Sequence, residues 1–588
     1  MTNYTPPVQD MLFVLDNVVG LSSVPEHPDL GKLDADSIAS ILEPAADLAG
    51  NVLATINHSG DKDGTKLKDG VVTTAGGFKD AYRQYCEGGW NAVVFDQTHG
   101  GQGLPWLVAF AVQEMWQGAN MSFGLCPLLN QGAVEAIEAH ASDELKNEYL
   151  PKMIAGEWTG TMNLTEPQAG SDLAAVTTKA KRSADGFKIF GQKIFITYGE
   201  HDFTDNIIHL VLARIEGAPE GVKGISLFIV PKFLADGTRN DLLCTGIEHK
   251  LGIHASPTCT MQFGDVAGDK NGATGYLVGQ ENEGLKYMFT MMNNARLSVG
   301  LQGVAIAERA YQHALSYAKD RVQGASLSKK DAGRVTISHH ADVKRMLLSM
   351  ASQVEAGRAL AYEAALCLDL AKAGDADAKA KVDLLTPLVK SWCTDMSVEV
   401  ASTGVQIHGG MGFIEETGAA QFYRDARILP IYEGTNGIQS ADLVFRKILR
   451  DKGEALKAYL KEFDQVLTDL KSAKGDDLET IHAQLKICYE AVGKASQHLG
   501  VLAAEDMDYA AAVSVPYLRG LAGAAAGLMM ARSALAAQSL LSSGEGDHAF
   551  LNKKILHARF FAESHLPLAT AAAQSVLSSA RTIVAAEF

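Results

Sequence analysis

Four short segments carry the side chains best suited to chemistry. In IYEGTNGIQ, 431–439, Glu433 follows Ile431 and Tyr432 and precedes Gly434, Thr435 and Asn436. A carboxylate held among apolar neighbours has its pKa raised and becomes a competent base near neutrality. The same residues also suit a helix cap or an ion pair, so this segment alone leaves both readings open. In MNLTEPQAGSDL, 162–173, Thr165 and Ser171 offer hydroxyls, and Gly170 an accessible backbone, to a polar ring edge or a phosphate. Pro167, Gly170, Ser171 and Asp172 equally suit a plain turn. In KIFITYG, 193–199, period-two alternation puts Lys193, Phe195 and Thr197 on one strand face, where an aromatic ring and a hydroxyl suit a planar ligand. A half-buried strand explains that pattern too. VQIHGGMGFIEE, 405–416, offers close backbone approach at Gly409, Gly410 and Gly412 and a hydrogen bond from Gln406. His408 has no second ligand nearby at helical spacing, so a packing role is expected for it, and no metal site.

Familiar nucleotide loops are missing. The chain holds neither G-x-x-x-x-G-K-[ST] nor a strand-linked G-x-G-x-x-G, and no G-x-S-x-G of a serine hydrolase.

The elements that must position these segments divide the chain into five stretches: an N-terminal extension (1–35), a helical region (36–158), a β region (159–281), a second helical region (282–450) and a further helical domain (451–588). In SDELKNEYLPKMIAG the residues Leu145, Tyr149, Leu150 and Met153 share a helix face, with Ser142 at its start. Pro151 is expected near a helix boundary. A Gly-rich break, FDQTHGGQGLP, separates helices. From 176 to 279 six short β-branched segments alternate with Gly, Asp, Asn and Pro turns, predicting a compact antiparallel β domain or barrel. Asp185-Gly186-Phe187 is a candidate hairpin turn. Helical periodicity resumes at Asn282 and persists, becoming highly charged after Asp451 and then alanine-rich.

The chain has 588 residues, with 52 Lys+Arg against 69 Asp+Glu, a net charge of −17. That balance argues against a nucleic-acid binder, which needs clustered positive charge. The 47% hydrophobic content suits a large buried core. Seven cysteines, with no C-x-x-C pair, suit reduced packing thiols. The N-terminus shows no export signal, and no uninterrupted apolar run reaches the ~18–20 residues of a membrane span. A soluble cytoplasmic protein is expected.

Taken together, TEPQAGSD, KIFIT, QIHGGMGF and IYEGTNGIQ, in this order and in a helical–β–helical layout, resemble the acyl-CoA dehydrogenase family over about 36–450. The extension and the extra C-terminal domain resemble its long bacterial branch. The resemblance implies an α+β fold: an N-terminal helical domain, a middle antiparallel β domain, a C-terminal four-helix bundle and the additional helical domain. It implies FAD lined by Met162, Leu164 and Thr165, with Gly170 and Ser171 beside it and Ser171 also meeting CoA. Phe195, where the family often has Trp, and Thr197 would contact the isoalloxazine. Gln406, Gly409 and Gly410 would hold the adenosine diphosphate portion of a neighbouring subunit's FAD, Thr435 would lie near the pyrophosphate, and Arg321, in DRVQG, would bind FAD across the interface. The family often reads R-x-x-F-G there. Asn293, which replaces a common Asp, and Arg296 match substrate-side positions, and Gly437 stands where shorter relatives often have Gln. Glu433 matches the base that removes the α-proton as a hydride leaves the β-carbon. The implied product is a trans-2-enoyl-CoA, the implied electron acceptor an electron-transferring flavoprotein, and the implied assembly a homodimer. The implied substrate is 3-methylmercaptopropionyl-CoA, giving methylthioacryloyl-CoA in dimethylsulfoniopropionate breakdown. A general fatty acyl-CoA dehydrogenase, an acyl-CoA oxidase and, remotely, a DNA-associated flavoprotein of the same fold are the alternatives. Peroxide production and duplex binding separate the last two.

Overall fold

The computed structural model describes residues 4–184, 186–266, 271–327 and 333–588. It divides into two compact units. One comprises Asp47–Leu104 and Ala119–Ala295; the other comprises Met1–Ala46, Pro105–Gly118 and Arg296–Phe588.

The first unit combines helices with an eight-stranded sheet. Helix Asp143–Ala155 begins where the sequence predicts, with Leu145 N–H donating to the Ser142 hydroxyl at 3.4 Å. It ends at Gly156 in the left-handed region (φ 80°), not at Pro151, which lies inside the helix. Burial of Tyr149, Leu150, Met153 and Ile154 on one face carries the helix through the missing proline N–H.

The sheet closes on itself. Strand Ala273–Leu277 pairs with Ile225–Pro231, which pairs with Asn206–Ile215, then Lys179–Ser183, then Gly186–Thr197, which returns to Ala273–Leu277. Strands Thr258–Phe263 and Leu242–Ile247 extend this barrel beyond Gly186–Thr197. The predicted antiparallel character holds for most pairings, but Trp158–Asn163 and Lys179–Ser183 run parallel to Asn206–Ile215, one above the other along the same edge. Asn206–Ile215 is buried along nearly its whole length, as a strand covered on both faces must be. Ile189, Val211, Phe228, Met261 and Phe263 fill the core. Of the candidate turn, Ser183 pairs with Gly186, while Asp185 lies outside the described residues.

The second unit is helical. Gly284–Asp320 enters it from Arg296 onward and is joined by Ala341–Lys372, Ala376–His408 and Ala419–Ala426. The C-terminal helices Glu454–Ser472, Asp476–Glu505, Ser514–Ser543, His548–Ser564 and Leu566–Ser575 follow. The N-terminal extension is part of this unit, with Met11, Val14 and Leu15 fully buried. Its Asp10 carboxylate meets both Arg358 and Lys554. Helix Ser514–Ser543 is long and apolar enough to cross a membrane by composition, although Arg519 and Arg532 interrupt its apolar run. In the fold 83% of that apolar window is buried, and a Cβ on Gly523 would stand 2.6 Å from the Ala569 Cβ, so the helix is built for close packing on Leu566–Ser575. All seven cysteines are free thiols, six of them buried.

Candidate functional site

The loop that carries Glu433 follows helix Ala419–Ala426 and ends at the short helix Asn436–Ala441, whose cap is Thr435; its hydroxyl accepts from Ile438 N–H at 3.3 Å. Two consecutive left-handed residues, Glu433 (φ 55°) and Gly434 (φ 84°), shape the loop. For a residue with a Cβ this conformation costs about 1–2 kcal/mol, so its surroundings must impose it. Fully buried Gln439 does part of that: its side-chain amide donates to the carbonyls of Glu433 (3.2 Å) and Gly434 (3.3 Å). Tyr432 adds a second anchor, donating to Gln302, which donates in turn to Gln117 at 3.1 Å. The Glu433 N–H donates to no described residue.

Burial pushes the Glu433 carboxyl above its ordinary range, while Arg296 and, next, Lys390 pull it down. Arg296 is nearly enclosed, lies 3.7 Å from Asp442, and leaves its Nε without a partner among the described residues. Lys390 is fully buried on helix Ala376–His408 and donates to Asn436 Oδ1 at 2.9 Å. Burial brings its pKa down to about 7. Sequence reasoning found Glu433, Arg296 and Thr435 but passed over Lys390, Gln439 and Gln302. A lone lysine inside LLTPLVKSWC was the available signal for Lys390.

At the end of helix Ala376–His408, Gln406, Gly409 and Gly410 are exposed. Gly409 adopts φ 61° and has open space where a Cβ would be. His408 is a packing residue: it stacks on Tyr317 (4.4 Å) and His313 (4.7 Å) and hydrogen-bonds the Gly404 carbonyl at 2.7 Å. Arg321 is exposed just beyond helix Gly284–Asp320.

In the other unit, strand Trp158–Asn163 carries the buried Met162 and leads into half-buried Leu164 and Thr165. Gly170 and Ser171 are exposed, and Asn293 is half-buried on helix Gly284–Asp320. The expected alternation of Lys193, Phe195 and Thr197 does not hold. The register shifts between Lys193 and Ile196, Phe195 takes φ 60°, and its ring is 58% exposed while Lys193 is wholly buried. The cause is an ion pair: Lys193 Nζ lies 2.8 Å from Glu166 and donates to the Leu164 carbonyl at 3.0 Å, so it points inward, and the bulge turns Phe195 outward.

These residues suit a flavin nucleotide. Within the first unit a bare aromatic ring (Phe195), two half-buried hydroxyls (Thr165, Thr197) and Gly170, with open space where a Cβ would be, offer stacking, ring-edge hydrogen bonds and backbone approach. The side chains of Thr165, Ser171, Thr197, Gln406 and Arg321 make no hydrogen bond to described residues and are available to a ligand. No group of three metal-ligating side chains occurs among the described residues.

Domain models of known proteins match in series: acyl-CoA dehydrogenase N-terminal domain (68–157), middle domain (161–266), C-terminal domain (282–448), and acetyl-CoA dehydrogenase C-terminal like (449–587). The chain is 47% identical to the 3-methylmercaptopropionyl-CoA dehydrogenase of Ruegeria pomeroyi, over 96% of both chains. It is 36% identical to the broad-specificity linear acyl-CoA dehydrogenase FadE5 of Mycobacterium tuberculosis, over 97% of both. The fold is that of an acyl-CoA dehydrogenase from Bacillus anthracis solved with FAD, at a TM-score of 0.75 and 21% identity, covering 97% of this chain and 94% of that one. The chain belongs to the acyl-CoA dehydrogenase family, whose members are oxidoreductases that use FAD.

Proposed function

We propose that this chain oxidises a short acyl-CoA thioester to its trans-2-enoyl-CoA, with Glu433 taking the α-proton. The observation that carries the reading is Glu433 itself: a left-handed, partly enclosed glutamate with a raised carboxyl pKa and an uncommitted N–H. One residue then offers two groups to the same thioester. Its carboxylate accepts the α-proton, and its N–H donates to the thioester oxygen as enolate charge develops there. Arg296 and Lys390 favour the ionised carboxylate before the transfer. FAD, when bound, supplies the acceptor for the β-hydride. Met162, Leu164, Thr165, Gly170, Ser171, Phe195, Thr197 and Thr435 are the residues that would hold it. Gln406, Gly409, Gly410 and Arg321 would serve the FAD of a second copy. Asn293, Arg296 and Ser171 face the substrate in this reading.

The substrate we propose is 3-methylmercaptopropionyl-CoA, converted to methylthioacryloyl-CoA in dimethylsulfoniopropionate breakdown in the cytoplasm. It is supported by the full-length similarity to the Ruegeria pomeroyi enzyme. An electron-transferring flavoprotein reoxidises the enzyme in this reading. The deciding experiment is Glu433→Gln, which keeps side-chain size and the backbone N–H but removes the basic oxygen. Mixed anaerobically with the thioester, the variant should perturb the flavin spectrum without bleaching it; loss of a general base typically costs about 10²–10⁴-fold. Bleaching at the wild-type rate would remove Glu433 from this role. A preference for C16 over methylthiopropionyl thioesters would remove the substrate while leaving the chemistry.

A further inference from the structure

We propose that Lys390, anchored on Asn436, is a positioning residue that holds Glu433 as a carboxylate before proton transfer. The proposal rests on Glu433 being the base.

Lys390 is wholly buried in the middle of helix Ala376–His408. Among the described residues Asn436 Oδ1, at 2.9 Å, is its one hydrogen-bond acceptor. An ammonium brings three donors, so this is a sparse set for a buried cation. Asn436 is three residues beyond Glu433 and opens the helix that ends the base loop. Its amide nitrogen donates to Ser391 O (3.2 Å), Thr394 Oγ1 (3.1 Å) and Asp395 Oδ1 (2.7 Å), and its backbone N–H to Pro430 O (3.0 Å). Asn436 therefore ties the base loop to one stretch of the long helix and aims its oxygen at the lysine. A purely structural loop anchor needs no buried charge, since the amide's own bonds already make that attachment.

What the charge adds is electrostatic. Lys390 and Glu433 favour each other's ionised forms, and burial opposes both. The other charges facing the pair are Arg296 and, beyond it, Asp442 and Arg446 on the segment after the base loop. On the far side stand Asp395 and, 3.5 Å from it, Arg519 of helix Ser514–Ser543. Arg296 lowers the Glu433 pKa as well, but it also answers Asp442, whereas Asp395, the other acid acting on Lys390, is occupied by Asn436 and Arg519.

Two variants of the FAD-loaded enzyme test this. Lys390→Met keeps an unbranched apolar chain and removes the cation. The acid limb of the anaerobic flavin-reduction rate should move to higher pH by about one unit, a roughly tenfold loss on the acid side that is regained in alkali. Lys390→Gln also removes the cation but keeps an N–H donor for Asn436 Oδ1 and should move the limb the same way; it decides the matter if Lys390→Met does not fold. The infrared band of the protonated carboxyl, assigned by its loss in Glu433→Gln, should shift its titration upward with the rate. A limb and a band unmoved in the variants would overturn the proposal. If instead Glu433→Gln keeps the wild-type rate, the base assignment falls separately, since the band reports Glu433 ionisation whether or not that carboxylate takes the proton.

Discussion

Glu166 and Lys193 face each other at 2.8 Å with both side chains closed off from solvent, joining the Thr165–Ser171 loop to the strand that bears Phe195. Around them the Glu166 oxygens accept from the backbone N–H and hydroxyl of both Thr177 and Thr178, so the carboxylate is fully answered. Breaking such a pair by removing one partner strands a buried charge and costs about 3–5 kcal/mol. Lys193→Met should therefore lower the unfolding free energy by that order, measured by urea denaturation, and loosen the loop offered to FAD.

The same pair predicts an acid limit to stability. Burial alone would raise the Glu166 pKa, but Lys193 and the threonine donors outweigh it and hold it at about 2. The folded value thus lies below the unfolded one, near 4.3. Stability from this group is present above the unfolded value and is lost as pH falls toward 2. Lys193→Met should flatten that part of a stability–pH curve; an unchanged acid limb would show that other carboxylates govern it.

Phe195 is the opposite case, a large ring held outside the core. Surface substitutions away from packed features usually stay within ±0.5 kcal/mol, and removing a Cβ-bearing side chain at φ 60° relieves strain. Phe195→Gly should leave the melting temperature unchanged or raised while FAD affinity falls about tenfold or more, given ~1–3 kcal/mol per stacked ring. Equal FAD affinity in calorimetric titration would assign the ring to another role.

The contrast between Lys193 and Phe195 also shows what a sequence can and cannot yield. Local signals sufficed where the physics is local: the Ser142 cap and the short β segments were readable. The alternation at 193–197 failed because a partner 27 residues away turns Lys193 inward, which no period-two rule contains. Pro151 failed for a related reason, since burial of its helix face outweighs a local breaker. Glu433 was legible because its motif is contiguous. Lys390, Gln439 and Gln302 were not, because their links to the Glu433 loop exist only once the helices pack.

The N-terminal segment should be indispensable for stability. Asp10 answers two buried cations, Arg358 and Lys554, and Arg358 also meets Glu114 and Glu308. Asp10→Ala leaves those cations one acceptor short, with an expected loss of about 3–5 kcal/mol. Thermal unfolding followed by far-ultraviolet circular dichroism measures it. Asp10→Asn, which keeps an acceptor oxygen, should recover part of the loss.

The last prediction concerns assembly. The loop after helix Ala376–His408 displays Met411, Phe413 and Ile414, with Phe413 86% exposed, beside exposed Gln406, Gly409 and Gly410. Apolar side chains held so far out, next to residues assigned to a neighbouring subunit's FAD, suit a surface covered by a second copy. Light scattering should therefore report a homodimer across dilute concentrations. Phe413→Asp places a charge where that contact forms, and should produce monomers that also lose FAD, because the adenosine side of each site would then lack its partner. A stable tetramer, or an FAD-replete monomer in the variant, would contradict this arrangement.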